Sequence, residues 1–256
     1  ATRSYQIVKL RLFLYTSYAL IIFLIISSVI VPSLAILATN RKWHKTALKL
    51  HLIWAKSFFS IVMPVEVIGK EKLKSHDQYI FCANHFSYLD IPAFYLIYHA
   101  KFIGKSSLKK IPLFGYFFRK IHIPVTRESA KSRGMSLQQT KKAVEEGYSV
   151  SFFPEGGIVV GGDKLPYMNP FKDGAFKVAV EQNVPIVPVT MPYNFLILPD
   201  ESPVRLHPHK CKLIIHDPIF PDDSGEEQIP KLKEQVFNTI QEELLRHHPE
   251  KINSLG

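Results

Sequence analysis

The sequence predicts an α/β fold: a mixed, mostly parallel sheet flanked by helices, with an N-terminal membrane-embedded helical segment. Three observations predict it. Short β-rich runs alternate with helix-patterned stretches beyond residue 64, as a sheet covered by helices on both faces requires. No charged residue lies between Leu12 and Asn40. The chain of 256 residues suffices for one such domain with an appendage.

The uncharged stretch, "FLYTSYALIIFLIISSVIVPSLAILA", exceeds the roughly 20 residues that cross a bilayer. It is also longer than the apolar centre of a secretory signal, about 7–15 residues, and the surroundings of Ala38 lack a small-x-small cleavage pattern, so it is read as retained. Arg3, Lys9 and Arg11 precede it, and Arg41, Lys42 and Lys45 follow it. With basic residues at both ends, charge does not orient it. Two topologies fit: a dip into one leaflet that returns, bending at Pro32, or a single span. Residues 41–63 mix lysines with Trp43, Leu48, Ile53, Trp54, Phe58 and Phe59. That composition suits an interfacial helix, and a core helix of the following domain is the alternative. The expected organisation is membrane-anchoring helices over 1–63 and an α/β domain over 64–256.

The formal charge of +10 suits nucleic acid, an anionic membrane surface or a phosphorylated substrate. The apolar segment favours the membrane. No zinc-finger spacing, RNA-recognition aromatic block or dense basic helix is present, so nucleic acid is not expected. Cys82 and Cys211 lie far apart in no disulfide or metal pattern, which points to a reducing compartment.

Within the domain, strands are expected over 78–83, 148–153, 186–191 and 211–216. Helical patterns cover 136–146, stopped by Gly147, and 174–182, followed by Asn183 and Pro185. Residues 226–248 read as a last amphipathic helix. "VPIVPV", 184–189, is a buried strand interrupted by Pro188, so an edge position or a bulge is expected.

"ANHFSYLDIP", Ala83 to Pro92, places Asn84, His85, Ser87 and Asp90 between two apolar runs. Pro92 fits the first turn of a helix, so the helix should begin near Asp90. His85 then sits in the loop after a strand, where open α/β sheets carry their sites. The structural alternative is a capping box on Ser87-Tyr88-Leu89-Asp90, or Asp90 as N-cap. In the chemical reading, Asp90 fixes the His85 tautomer and the other ring nitrogen takes a proton from a hydroxyl. No second histidine or carboxylate stands nearby at metal-ligand spacing, so no metal is expected. "FFPEGG", Phe152 to Gly157, ends a strand at Pro154, and its Glu155, Gly156 and Gly157 form a turn whose backbone can approach a ligand. "KIHIPVTRES" and "FIGKSSLKKIPLFG" set Arg127 and Lys105 beside apolar stretches.

In this order the blocks resemble the lysophosphatidic acid acyltransferase family of membrane glycerolipid acyltransferases. "NHFSYLD" is similar to its N-H-x-x-x-x-D motif, Arg127 falls at its substrate-binding arginine, and "FPEGG" and "VPIVPV" look like its third and fourth motifs. The resemblance implies catalysis by His85 and Asp90 and substrate binding by Lys105, Arg127, Glu155 and Gly156. Backbone N–H groups near Glu155 and Gly156 are candidate oxyanion donors. The implied reaction moves a fatty acyl group from an acyl-thioester to the sn-2 hydroxyl of 1-acyl-glycerol-3-phosphate, giving phosphatidic acid. No cofactor is implied; the co-substrate is acyl-CoA or an acyl-acyl carrier protein. The implied partners are an anionic membrane surface and a lysolipid acceptor, at the cytoplasmic face of the cell inner membrane. One departure stands out: Gly157 and Ile158 replace the family's Thr-Arg. Either Arg127 and Lys105 suffice, with Lys164 or Lys172, or the acceptor is a carboxylate-bearing lyso-aminolipid. A membrane esterase and a non-catalytic lipid-surface adaptor are further alternatives.

Overall fold

The computed structural model describes residues 2–74, 77–110, 114–159, 164–222 and 225–252. Helix α1 (Thr2–Leu37) leads through a short turn into α2 (His44–Val62). The elements then run β1 (Val65–Ile68), β2 (Ile80–Ala83), α3 (Asp90–Phe94), β3 (Lys101–Lys105), α4 (Phe114–Ile121), β4 (Ile123–Val125) and α5 (Ala130–Glu145). They end with β5 (Val150–Phe152), α6 (Gly174–Gln182), β6 (Ile186–Thr190), α7 (Asn194–Ile197), β7 (Cys211–Ile215), α8 (Ile229–Arg246) and α9 (Pro249–Ile252).

The seven strands form one sheet in the order β1-β7-β6-β2-β5-β3-β4. Every pairing is parallel except β6 with β7, so the expected mixed, mostly parallel sheet is found. Side chains alternate between its faces. Ile80, Cys82, Val150 and Ile186 pack with residues of α5, α6 and α8. Phe81, Ala83, Val187 and Val189 pack with α2 and α3. Burial on both faces explains why these strands read as apolar runs.

Pro188 does not put β6 at an edge, because β6 lies between β7 and β2. It is accommodated by a slip of register instead. Ile186 bridges Ile219, whereas Val189 pairs with Ile215, so three steps along β6 oppose four on the facing chain. The carbonyl of Pro188 still accepts from the His216 N–H at 3.0 Å; only the donor that proline lacks is missing from the ladder.

Helix α1 does not turn back at Pro32, which lies inside it. The return comes after Leu37, and α2 runs back along α1. Tyr15 donates to the Val62 carbonyl at 2.9 Å, and Trp54 Nε1 to Ser27 Oγ at 3.1 Å. A Phe23–Trp54–Phe58 aromatic group seals the hairpin. Tyr5–Leu37 spans 33 residues, its most apolar 18-residue window has mean hydropathy 2.8, and it is long and apolar enough to cross a membrane and scarcely buried. Helix α2 packs one side into the domain: Ala47, Leu48, Ala55 and Phe59 are core residues, while Ile53 and Ile61, and Trp43 just before the helix, remain exposed.

Candidate active site

The site begins where β2 ends. The Asn84 side chain grips the Met191 backbone from both sides, accepting from its N–H at 2.8 Å and donating to its carbonyl at 3.1 Å. This ties the ends of two neighbouring parallel strands together as the chain leaves the sheet. His85 follows, its backbone N–H donating to Glu155 Oε1 at 2.7 Å and its carbonyl accepting from Val159 N–H at 2.9 Å. Its ring stacks on Phe153, with centroids 4.2 Å apart. One face of the imidazole and the backbone beneath it are therefore held by neighbours on other segments.

The helix begins at Asp90, as Pro92 predicts, and Asp90 turns back toward the loop. Its Oδ2 accepts from His85 Nδ1 at 3.0 Å and from the backbone N–H groups of Phe86 and Ser87, each at 2.8 Å. Its Oδ1 accepts from Asn194 Nδ2 at 2.9 Å. Four donors converge on the two oxygens of this fully buried carboxyl. The shared bond is therefore assigned as Nδ1–H to Oδ2, which places the imidazole lone pair on Nε2. That nitrogen has no protein partner, yet it is not sealed: among the described residues, the buried side-chain atoms lacking a partner are His51 Nε2 and Ser151 Oγ. The capping box is only half formed: the Ser87 N–H donates to Asp90 Oδ2, but Ser87 Oγ accepts from the Leu89 N–H at 3.1 Å and the residue at the N-cap is Leu89, which makes no side-chain cap bond.

Glu155 is built in differently from the sequence expectation. Both carboxyl oxygens are engaged by backbone, Oε1 by His85 and Oε2 by the Asn169 N–H at 2.9 Å. Burial pushes this carboxyl up to about 8, against the pull of the two N–H bonds. The side chain thus clamps the loop that carries His85. The Gly156 N–H is committed to the Phe153 carbonyl at 3.0 Å and is not free to meet an oxyanion, whereas among the described residues the Glu155 N–H has no partner.

Arg127, just past β4, lines a hollow of about 380 Å³. Phe153 and Pro154 share that hollow with Arg133, Lys172 and Lys177. Burial lowers the pKa of the half-buried Arg127 guanidinium. Lys105 ends β3 in register with Val125, exposed and outside the lining; Lys164 is also outside it. On the opposite face, an apolar hollow of about 300 Å³ lies between the helical hairpin and the sheet. Phe23, Trp54, Tyr88, Pro92, Phe114 and Phe118 are among its walls. Strand β3 divides the two, with Ile103 facing the cationic hollow and Gly104 the apolar one. Cys82 and Cys211 are buried and burial raises both thiols, that of Cys211 to about 12, so neither is a ready nucleophile.

Known proteins are similar to this chain in sequence and in fold. The 1-acyl-sn-glycerol-3-phosphate acyltransferase of Chlamydomonas reinhardtii is 30% identical over 199 residues, 75% of this chain and 58% of that protein. The chloroplastic enzyme BAT2 of Brassica napus, of the same name, is 33% identical over 71% of this chain and 52% of its own length. This chain thus spans about half the length of these relatives. The crystal structure of the 1-acyl-sn-glycerophosphate (LPA) acyltransferase PlsC from Thermotoga maritima superposes with a TM-score of 0.71 at 26% identity, covering 91% of this chain and 96% of that one. A family model described as acyltransferase matches residues 64–192, a stretch that runs from the start of β1, through the His85–Asp90 pair and the Glu155 turn, to the strand that Asn84 holds. The chain belongs to the acyltransferase family.

Proposed function

We propose that this protein transfers a fatty acyl group from an acyl-thioester to the sn-2 hydroxyl of 1-acyl-glycerol-3-phosphate, yielding phosphatidic acid. The observation that carries the proposal is the 3.0 Å contact of His85 Nδ1 with Asp90 Oδ2, which assigns the tautomer with Nε2 as the base. The acceptor hydroxyl gives its proton to Nε2 as its oxygen attacks the thioester carbonyl. The tetrahedral intermediate then expels the thiolate, which recovers the proton from the imidazolium and leaves as free thiol. No covalent acyl-enzyme is required, because the acceptor brings its own nucleophile. Such a base contributes typically 10²–10⁴-fold.

The two hollows suit the two ends of the reactants. The apolar one abuts Tyr88 and Pro92 of the histidine loop, and an acyl chain would lie there. The cationic one would hold the acceptor's anionic head group, with Arg127 as its contact. Residues 1–63 would serve as the membrane anchor and 64–256 as the catalytic domain. The exposed apolar surface of α1 and the net charge of +10 support association with an anionic bilayer. The cytoplasmic face of the inner membrane is the face on which acyl-CoA or an acyl-acyl carrier protein would be met.

The test is thiol release from an acyl-thioester with and without 1-acyl-glycerol-3-phosphate. Transfer requires the acceptor, whereas an esterase releases thiol without it. His85→Ala should lose at least two orders of magnitude in kcat. A folded variant that retains most of the transfer activity would sink the proposal.

A further inference from the structure

The Glu155 turn carries two glycines, and each makes room for a cation. Gly156 has φ +79, and a Cβ there would strike the Lys172 side chain from Cδ to Nζ. A Cβ on Gly157 would lie 3.5 Å from Arg127 Nη1. Lys172 and Arg127 therefore approach the same turn, from the loop before α6 and the loop after β4. Their backbones are held: the Lys172 N–H donates to the Pro154 carbonyl at 2.9 Å, and the Arg127 carbonyl accepts from Arg133 Nη1 at 2.7 Å. Neither cation has a carboxylate within ion-pair distance among the described residues. Asp173, the acid lining the same hollow, is bound to Lys233 at 2.7 Å. Arg133 and Lys177 add charge to the walls. A concentration of unneutralised positive charge in a concave site calls for an anion.

We infer that Lys172 is the second cation of the acceptor site, closing with Arg127 on a phosphate monoester dianion and supplying the charge that Ile158 lacks. The inference rests on the proposed acyl transfer and deepens it, since it decides between the two acceptor classes. A carboxylate brings one negative charge for two cations and leaves one of them unneutralised. A phosphate monoester brings up to two charges and three oxygens, enough for a guanidinium fork on one side and an ammonium on the other.

Binding and turnover separate the inference from the reaction it rests on. Short-chain 1-acyl-glycerol-3-phosphate, below its micelle concentration, is titrated into the detergent-solubilised full chain by calorimetry. A phosphate-free monoacylglycerol and a carboxylate-bearing lyso-aminolipid of equal chain length are the other arms. Lys172→Met should weaken binding of the phosphate lipid about tenfold or more, roughly 1.4 kcal/mol. Lys172→Arg should restore most of it. Lys231→Met, which removes the same charge from the exposed side of α8, should leave that affinity unchanged. The inference is overturned if Lys172→Met binds the phosphate lipid as the native protein does, or if Lys231→Met weakens binding equally. It is also overturned if the native protein binds either phosphate-free lipid as tightly. Normal phosphate-lipid binding, lost in Lys172→Met, without any acyl transfer would refute the proposed reaction and leave the anion site standing.

Discussion

Asp90 shows how one residue at a helix start can also hold an imidazole and the loop that carries it. Its Oδ2 gathers His85 Nδ1 and two backbone N–H groups, while Oδ1 takes Asn194. Asparagine cannot reproduce this, because one of its two ends is a donor facing donors. Asp90→Asn should therefore lower kcat by about 10²–10⁴ through loss of the correct imidazole tautomer. It should also cost about 1–3 kcal/mol of stability, measured by denaturant unfolding alongside steady-state rates. Unchanged kcat in a folded protein would show that Asp90 only caps. The His85–Asp90 pair was legible in the sequence because both members lie in one short loop, where a proline marks the helix start. Asn194 was not: its bond to Asp90 spans 104 positions, and no local pattern announces a partner so distant. The sequence placed Glu155 in a turn after a strand but could not show its part, since only the folded chain sets its oxygens against the backbones of His85 and Asn169. Lys172 was one of two lysines the sequence offered, and distance to the turn separates it from Lys164.

At the scale of elements, the readable strands were those buried on both faces. β2, β5, β6 and β7 fall within the expected runs, because continuous apolar character survives without any partner in view. β1 was not anticipated: it is an edge strand with the pattern Val-Glu-Val-Ile, too short and too polar to stand out. β3 also escaped, since Lys101, Gly104 and Lys105 interrupt its apolar residues. Lys101 is nonetheless buried, its ammonium 3.9 Å from the Tyr148 ring centroid. Helix α6 has the expected bounds, helped by Asn183, which ends it in the left-handed conformation at φ 48. Helix α5 starts six residues earlier than its apolar pattern indicates, at Ala130, because Ser129 accepts from the Ser132 N–H at 3.2 Å. The first turns of α5 carry Arg133, Ser136 and Leu137 into the cationic hollow. Loss of the cap should thus reach both stability and acceptor binding. Ser129→Ala should cost about 0.5–2 kcal/mol and raise the KM for the lysolipid acceptor more than that for the thioester. Equal effects on the two KM values would separate the cap from the hollow. Gly156→Ala tests the turn itself: its positive φ and the Lys172 side chain both oppose a Cβ, so lower stability and weaker acceptor binding should appear together.

For the whole molecule, buried titratable groups set how stability answers to pH. Burial raises the Glu155 carboxyl from 4.5 to about 8. Between those values the folded protein keeps a proton that the unfolded chain has released, so this group lowers stability as pH rises. His122 acts in the opposite sense: burial, aided by its cationic neighbours, holds it well below 6.5. The unfolded chain therefore gains a proton below about 6.5 that the folded one refuses, and stability falls as pH drops. From about 4.5 to 6.5 the Glu155 slope is opposed by those of His122 and of other histidines that burial lowers, among them His99 and His216. Above 6.5 only that of Glu155 acts, until Lys101, lowered by burial to about 8, begins to favour the folded state as pH rises further. The unfolding free energy should then decline between pH 6.5 and 8, by at most about 1.4 kcal/mol per pH unit for one proton. Thermal unfolding of the detergent-solubilised protein at closely spaced pH values measures the decline. Glu155→Gln should flatten it, because glutamine has no proton to lose, while starting about 1–3 kcal/mol lower, because its amide nitrogen meets a backbone N–H. A native protein whose stability stays level from pH 6.5 to 8, or a Glu155→Gln variant that keeps the full decline, would mean that the clamp beneath His85 is already ionised when the fold forms.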